Sequence, residues 1–175
     1  MHILFIVDNF PPESNPPAIR TYEHAASWVR MGAKVTVITC NPNFPHGKIY
    51  PGFKNNIYSR SSYDDITVIR VWSFIAKNKG VLIRLLDFVS FMLTSFIAGV
   101  FVKNVDVIVG TSPQIFAAQS ACMLSFLKRK PFILEIRDLW PESIDGFKSP
   151  LRKPIFYFGQ IIANKLYDNA DKVVV

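Results

Sequence analysis

Met1-His2-Ile3-Leu4-Phe5-Ile6-Val7-Asp8-Asn9 opens the chain, and Lys34-Val35-Thr36-Val37-Ile38-Thr39 follows after a segment that begins Pro16-Pro17-Ala18-Ile19-Arg20 and closes at Gly32. The two outer runs are apolar and rich in branched residues, with little polar alternation, which reads as strands buried on both faces. The middle segment reads as a helix. Proline is tolerated at its first positions, Ile19, Tyr22, Ala26 and Val29 recur at helical spacing, and Gly32 stands where a C-terminal cap belongs. Strand, helix and strand in this order make a βαβ unit, so the fold class is α/β with a Rossmann-like, doubly wound parallel sheet.

The same alternation continues outward from this unit. Strands are expected at 66–72, 105–109, 132–136 and 172–175, and helices at 81–102, 115–127 and 151–167. A Pro/Gly/Asn-rich segment from 41 to about 63 reads as a long loop, a type that is commonly functional or disordered. The chain ends within an apparent strand, so residues 1–175 are expected to be one truncated N-terminal domain.

Composition agrees with a packed domain. Half of the 175 residues are hydrophobic and 19% are charged, the opposite of a disordered balance. The net charge of +7 favours anionic partners such as phosphorylated substrates or lipid headgroups, although a merely basic surface is the plain alternative. Nucleic-acid binding has no motif behind it. Cys40 and Cys122 lack metal-ligand spacing and read as buried reduced thiols. With no leader before the first strand, a cytoplasmic location is expected. The charge-free run 88–102 has 15 residues, short of the roughly 20 that span a bilayer. A buried crossover helix, a membrane-dipping surface and a true span remain open for 81–102, where Arg84 and Asp87 can pair across a turn. Basic residues near apolar stretches, among them Lys103, Lys128, Arg129, Lys130, Lys148, Arg152 and Lys153, suit an anionic membrane surface.

In an open parallel sheet, ligands bind beyond the carboxyl ends of the strands, near the reversal of strand order. The loops there carry no GxGxxG, no P-loop, no HExxH, no nucleophile elbow and no DxD. A nicotinamide oxidoreductase and metal-dependent chemistry are therefore disfavoured. Asp64-Asp65 precede a strand at its other end and read as solvated turn residues. What remains is Arg137-Asp138-Leu139-Trp140-Pro141-Glu142-Ser143, directly after the strand Phe132-Ile133-Leu134-Glu135-Ile136. A carboxylate at such a strand end can face a ligand; a capping cluster with Trp140 as core filler is the alternative.

That turn, together with Asn41-Pro42-Asn43-Phe44-Pro45-His46-Gly47-Lys48-Ile49-Tyr50-Pro51-Gly52-Phe53, Phe10-Pro11-Pro12-Glu13, Ala18-Ile19-Arg20 and Thr111-Ser112-Pro113, resembles the bacterial surface-polysaccharide enzymes of glycosyltransferase family four. The branch it resembles contains N-acetyl-fucosamine transferases. The resemblance implies a GT-B enzyme whose N-terminal domain binds acceptor and whose C-terminal, donor-binding domain is absent here. It implies metal-independent, retaining transfer from a nucleotide sugar to a saccharide on a polyprenyl diphosphate, at the inner face of the cytoplasmic membrane. Asp138 and Glu142 are then the expected catalytic pair. Arg20, Asn15, His46, Lys48, Ser112 and Arg137 are the expected substrate-binding residues; His2 and His24 are expected to be structural. Two departures stand out. Ser14-Asn15-Pro16-Pro17 occupies the region of a common Gly-Gly pair, and Asp138 stands where many members have a histidine. A non-catalytic module that docks a partner or membrane is the other reading. The sequence beyond Val175 separates the two.

Overall fold

The computed structural model describes residues 1–75, 81–138 and 152–175. Its elements are β1 (His2–Ile6), α1 (Pro16–Arg30), β2 (Lys34–Cys40), β3 (Tyr58–Tyr63), β4 (Ile66–Val71), α2 (Val81–Val100), β5 (Val107–Thr111), α3 (Ile115–Lys128), β6 (Phe132–Glu135), α4 (Arg152–Asn169) and β7 (Lys172–Val174). They form one seven-stranded sheet in the order β3-β4-β2-β1-β5-β6-β7. Every described pairing is parallel except β3 with β4. The doubly wound α/β expectation holds.

Side-chain alternation along the buried strands sorts the molecule into two cores. Leu4 and Ile6 of β1, with Ile38, Ile69, Ile108 and Leu134, pack beneath α2, α3 and α4. Ile3, Phe5 and Val7, with Val35, Val37, Ile66 and Val68, face the other way, toward Ala25, Ala26 and Trp28 of α1. Each large side chain buried this completely stabilises the fold by roughly 1.5–3 kcal/mol. Within α1 the buried line is Ala18, Thr21, Ala25 and Ala26. Ile19, which the helical spacing places with the apolar face, is exposed instead. Gly32 ends the helix at φ +84°, a conformation that costs a glycine little.

Two expectations need correction. The segment expected to be a loop as far as residue 63 contains the edge strand β3, paired antiparallel with β4 through Tyr63 and Ile66. Its sequence, Tyr-Ser-Arg-Ser-Ser-Tyr, is exposed along almost its whole length, so it has no apolar alternation to betray it. The signal lies in the turn. Asp64 and Asp65 both have positive φ, 47° and 63°, as a two-residue hairpin of the primed type requires. The other correction is a shift: β5 spans Val107–Thr111, two residues later than expected, so its carboxyl loop starts at Ser112.

Helix α2 packs as a crossover. Phe91 and Ala98 are buried, Ser95 Oγ and Ser120 Oγ lie 2.9 Å apart as hydrogen-bond partners, and Thr94 Oγ1 donates to the Trp72 carbonyl at 2.7 Å. The helix is long and apolar enough to cross a membrane by composition, yet its inner face is committed to the sheet and α3. Its outer face leaves Leu86, Leu93, Ile97 and the following Phe101 exposed.

Close approach of α3 to β5 rests on small residues. A Cβ at Gly110 would stand 2.9 Å from the Ala118 Cα and 2.8 Å from the Ala121 Cβ, whereas one at Gly99 would meet only the movable end of Leu124. Gly110→Ala should therefore destabilise the chain by about 2–3 kcal/mol. Gly99→Ala, offset by better helix propensity, should cost under about 1 kcal/mol. Urea unfolding of both variants measures the difference, and equal losses would show that α3 can slide on β5.

Candidate functional site

Strand order reverses at β1, whose neighbours β2 and β5 lead the chain to opposite sides. The loops after β1 and β5 therefore part, and a crevice opens over the carboxyl ends of the strands. Two sets of buried charged residues line it.

On the β2 and β4 side, Glu13 in the first loop is buried. Its Oε1 accepts from the backbone N–H of Asn43 at 2.8 Å and of Phe44 at 2.9 Å. Arg70, at the tip of β4, donates to the carbonyls of Cys40 and Pro11 and stands over the Phe53 ring, 5.2 Å from its centroid. These contacts fasten the loop after β1 to the loop after β2. Cys40 Sγ and Thr39 Oγ1 both donate to the Asp8 carbonyl, at 2.9 and 3.1 Å. Both cysteines are buried and free.

Burial pushes the Asp8 and Glu13 carboxyls above their ordinary range; a hydrogen bond from the Asn9 side chain and, more weakly, the charge of Arg137 oppose this at Asp8, and backbone N–H groups oppose it at Glu13. Asp87, on the first half of α2, is raised to about 6, first by burial and then by the charge of Asp8. Asp8 and Asp87 thus face one region as carboxylates that hold a proton more readily than usual. Among the described residues no group of three or more His, Cys, Asp or Glu side chains is placed to hold a metal ion.

On the β5 and β6 side, Ser112 Oγ accepts from the Arg137 N–H at 2.9 Å and donates to the Asp138 carbonyl at 3.3 Å. Arg137 Nη2 donates to Thr21 Oγ1 at 3.1 Å and to the Pro17 carbonyl at 3.4 Å. Glu135, buried at the end of β6, has three basic groups around its Oε1: Arg20 Nε at 3.7 Å, His24 Nδ1 at 3.6 Å and Arg137 Nε at 3.6 Å.

The expected site residues divide accordingly. Arg20 and Arg137 come together, and exposed Asp138 is next in the chain. Ser112 belongs to the same corner, with its hydroxyl occupied in holding the turn. Asn15 is buried and occupied as well: its Oδ1 caps α1 through the Ala18 N–H at 2.9 Å, and its Nδ2 donates to Asn9 Oδ1 at 2.7 Å. The geometry thus makes Asn15 a cap. His46 and Lys48 are exposed in a turn closed by Gly47 N–H to the Asn43 carbonyl. Among the described residues no hydrogen bond or ion pair joins them to the arginine corner. Glu142 lies outside the described residues.

Sequence reasoning missed Glu135, Glu13 and Arg70, and it took His24 only as structural. His2 is structural: its ring nitrogens bond Thr36 Oγ1 at 2.8 Å and the Asn104 carbonyl at 3.1 Å. A usable signal for Glu135 and Arg70 existed, since each is a lone charge in or ending an otherwise apolar strand.

No known protein family and no curated protein matches this chain by sequence. Solved structures do match by fold. Sucrose-phosphate synthase from Thermosynechococcus elongatus superposes with a TM-score of 0.66 at 10% identity, over 99% of this chain and 41% of that one. CalG4, the calicheamicin glycosyltransferase, gives 0.53 at 14% identity, over 96% of this chain and 42% of its own. The catalytic domain of starch synthase IV from Arabidopsis thaliana, bound to ADP and acarbose, gives 0.50 at 10% identity, over 78% of this chain and 34% of its own. The chain spans less than half the length of each. What is shared is a Rossmann-like α/β fold, and at these identities the likeness goes no further than the fold.

Asp87 gives a pH test. Its folded value of about 6 exceeds the ordinary 3.8, so the folded chain binds this proton more tightly than the unfolded one. That contribution is complete below the unfolded value and is lost as pH rises through about 6. Asp87→Asn should therefore raise stability above pH 6 relative to the parent, by about 1–2 kcal/mol after allowance for partial solvent access, with no gain near pH 4. Urea midpoints at the two pH values measure it, and an equal effect at both would remove the titration of Asp87 as the cause.

Proposed function

We propose that residues 1–175 are the N-terminal, acceptor-side domain of a retaining glycosyltransferase. It moves a sugar from a nucleotide-sugar donor to a saccharide carried on a polyprenyl diphosphate, in bacterial O-antigen or capsule synthesis. The observation that carries this reading is the arginine corner at the tip of β6, where Arg20 and Arg137 meet at one carboxylate beside Asp138. It borders the crevice of a fold shared with sugar-transferring enzymes. Donor binding belongs to a C-terminal domain, and the reaction needs no metal.

In this reading the crevice divides its labour by charge. Arg20 and Arg137 meet phosphate oxygens, because a guanidinium presents paired donors to such oxygens. Asp138 orients a sugar hydroxyl or stabilises the positive charge that develops at the anomeric carbon, as carboxylates do in glycoside chemistry; Glu142, four residues later in the sequence, is the second acid of this reading. Exposed His46 and Lys48 reach the acceptor saccharide from the loop after β2. Ser112 and Asn15 serve by holding the strand tips in place.

A membrane-bound acceptor fits the outer face of α2. Leu86, Leu93, Ile97 and Phe101 form an exposed apolar stripe, and Lys103, Arg129 and Lys130 are exposed near its C-terminal end. Lys128 is occupied, its Nζ donating to the carbonyls of Val100 and Val102 at 2.9 and 2.8 Å. This composition suits peripheral attachment to an anionic surface on the cytoplasmic side.

In an enzyme carrying this domain, Asp138→Asn should lower sugar transfer by about 10- to 100-fold with the thermal midpoint unchanged. Undiminished turnover would remove Asp138 from the mechanism. Separately, the chain should sediment with anionic vesicles in a salt-sensitive way, and Leu93→Glu together with Ile97→Glu should abolish this. Sedimentation that survives the double change would place attachment elsewhere.

A further inference from the structure

Pro16 and Pro17 occupy the first two positions of α1 and have no N–H; the next N–H, on Ala18, is taken by Asn15 Oδ1 at 2.9 Å, and the Ile19 N–H is taken by the Asn15 carbonyl. The end of a helix where an anion ordinarily binds through backbone N–H groups is closed here. Basic side chains stand just beyond it. Arg20 and His24 lie four residues apart on α1, so they share a helix face. Both point to Glu135 on β6, and Arg137 reaches the same oxygen from the following turn.

Glu135 and Arg137 are almost wholly buried, with side-chain exposures of 8% and 7%. Their geometry is not that of a finished clamp. All three nitrogen–oxygen distances lie between 3.6 and 3.7 Å, too long for hydrogen bonds, whereas a paired arginine and carboxylate settle at about 2.7–2.9 Å. Among the described residues, Glu135 Oε2 and Arg137 Nε have no hydrogen-bond partner, an expensive state for buried charged groups. One carboxylate also faces two guanidinium groups, and Asp8, whose charge acts on Arg137, is drawn toward its protonated form by burial. Arg20 is half exposed, at 53%, and so opens the cluster to the crevice.

We infer that this corner is a diphosphate-binding subsite in which Glu135 is a resident counter-ion that an incoming anion must displace. The arginines supply the donors; His24 stands at the rim. Glu135 holds the arginines in place while the subsite is empty and lowers its affinity for every anion; the preference for a diphosphate comes from its charge and its several oxygens, which both guanidinium groups can engage. The inference deepens the sugar-transfer reading by assigning the phosphate side of the crevice to this corner, but its test does not require transfer. Diphosphate is common to a nucleoside diphosphate and to a prenyl diphosphate.

Inorganic pyrophosphate titrated into the chain, followed through the Arg137 side-chain Nε–H resonance and by calorimetry, should bind saturably and shift that resonance. Exposed Arg20→Gln should weaken binding at least tenfold with an unchanged thermal midpoint. Glu135→Gln should tighten pyrophosphate binding several-fold, because no counter-ion then has to be displaced. A counter-ion role predicts that gain; a purely structural pin between α1 and β6 does not. Geranyl diphosphate binding more tightly than pyrophosphate assigns the group to the acceptor, and UDP doing so assigns it to the donor; either supports the subsite. No saturable binding, binding that leaves the Arg137 resonance in place, or unchanged or weaker pyrophosphate binding in Glu135→Gln overturns it. Transfer measured separately in an enzyme carrying the domain distinguishes this failure from failure of the sugar-transfer reading.

Discussion

The reversal of strand order at β1 is the constraint on which the rest of this molecule depends. Because right-handed crossovers send β2 to one side and β5 to the other, α1 covers one face of the sheet and α2, α3 and α4 cover the other. The loops that follow β1 and β5 part at the carboxyl ends of the strands, where an open parallel sheet meets its ligand. β1 itself is buried along its entire length, which makes the floor of the crevice among the most rigid parts of the chain.

Rigidity at the floor does not by itself order the loops above it. Here that task falls to buried charges. Glu13 accepts two backbone N–H groups from the loop after β2, and Arg70 donates to carbonyls on two separate loops. Taking such groups out of water is costly, and removing one partner of a buried pair typically costs about 3–5 kcal/mol. Glu13 and Arg70 direct their hydrogen bonds to the backbone of neighbouring loops and so act as fasteners. The corner around Glu135 differs because its charges are close together yet incompletely bonded. Buried charge with unused hydrogen-bonding capacity is costly to keep, and a ligand that completes its bonds is one physical reason for a fold to retain it.

Much of this fold was legible in the residues. The strands β1, β2 and β6 and the helix α1 declare themselves through apolar runs, the paired prolines and Gly32. The turn Asp64-Asp65 read correctly as a turn, but β3 before it did not, since an edge strand exposed on both faces needs no hydrophobic period and β3 has none. Ile19 misled for the opposite reason: an apolar residue at helical spacing is exposed because the sheet lies under Ala18, Thr21 and Ala25. Arg20 and Arg137 were legible as candidates from their places at helix start and strand end. Their shared partner was not, because Glu135 sits 115 positions after Arg20 and no local pattern links the two.

From the amino acids alone came the local conformations and the list of loops that a parallel sheet must gather at one edge. Those follow from backbone sterics and the burial of apolar runs, which act over a few residues. Which charges meet at that edge was decided only by tertiary structure. Strand pairing set Glu135 level with Thr111 and Val174, and the packing of α1 brought Arg20 and His24 to the oxygen that Arg137 faces from the following turn. Electrostatic contact depends on distance in space, and distance in space between β6 and α1 is fixed by the packing of the whole sheet.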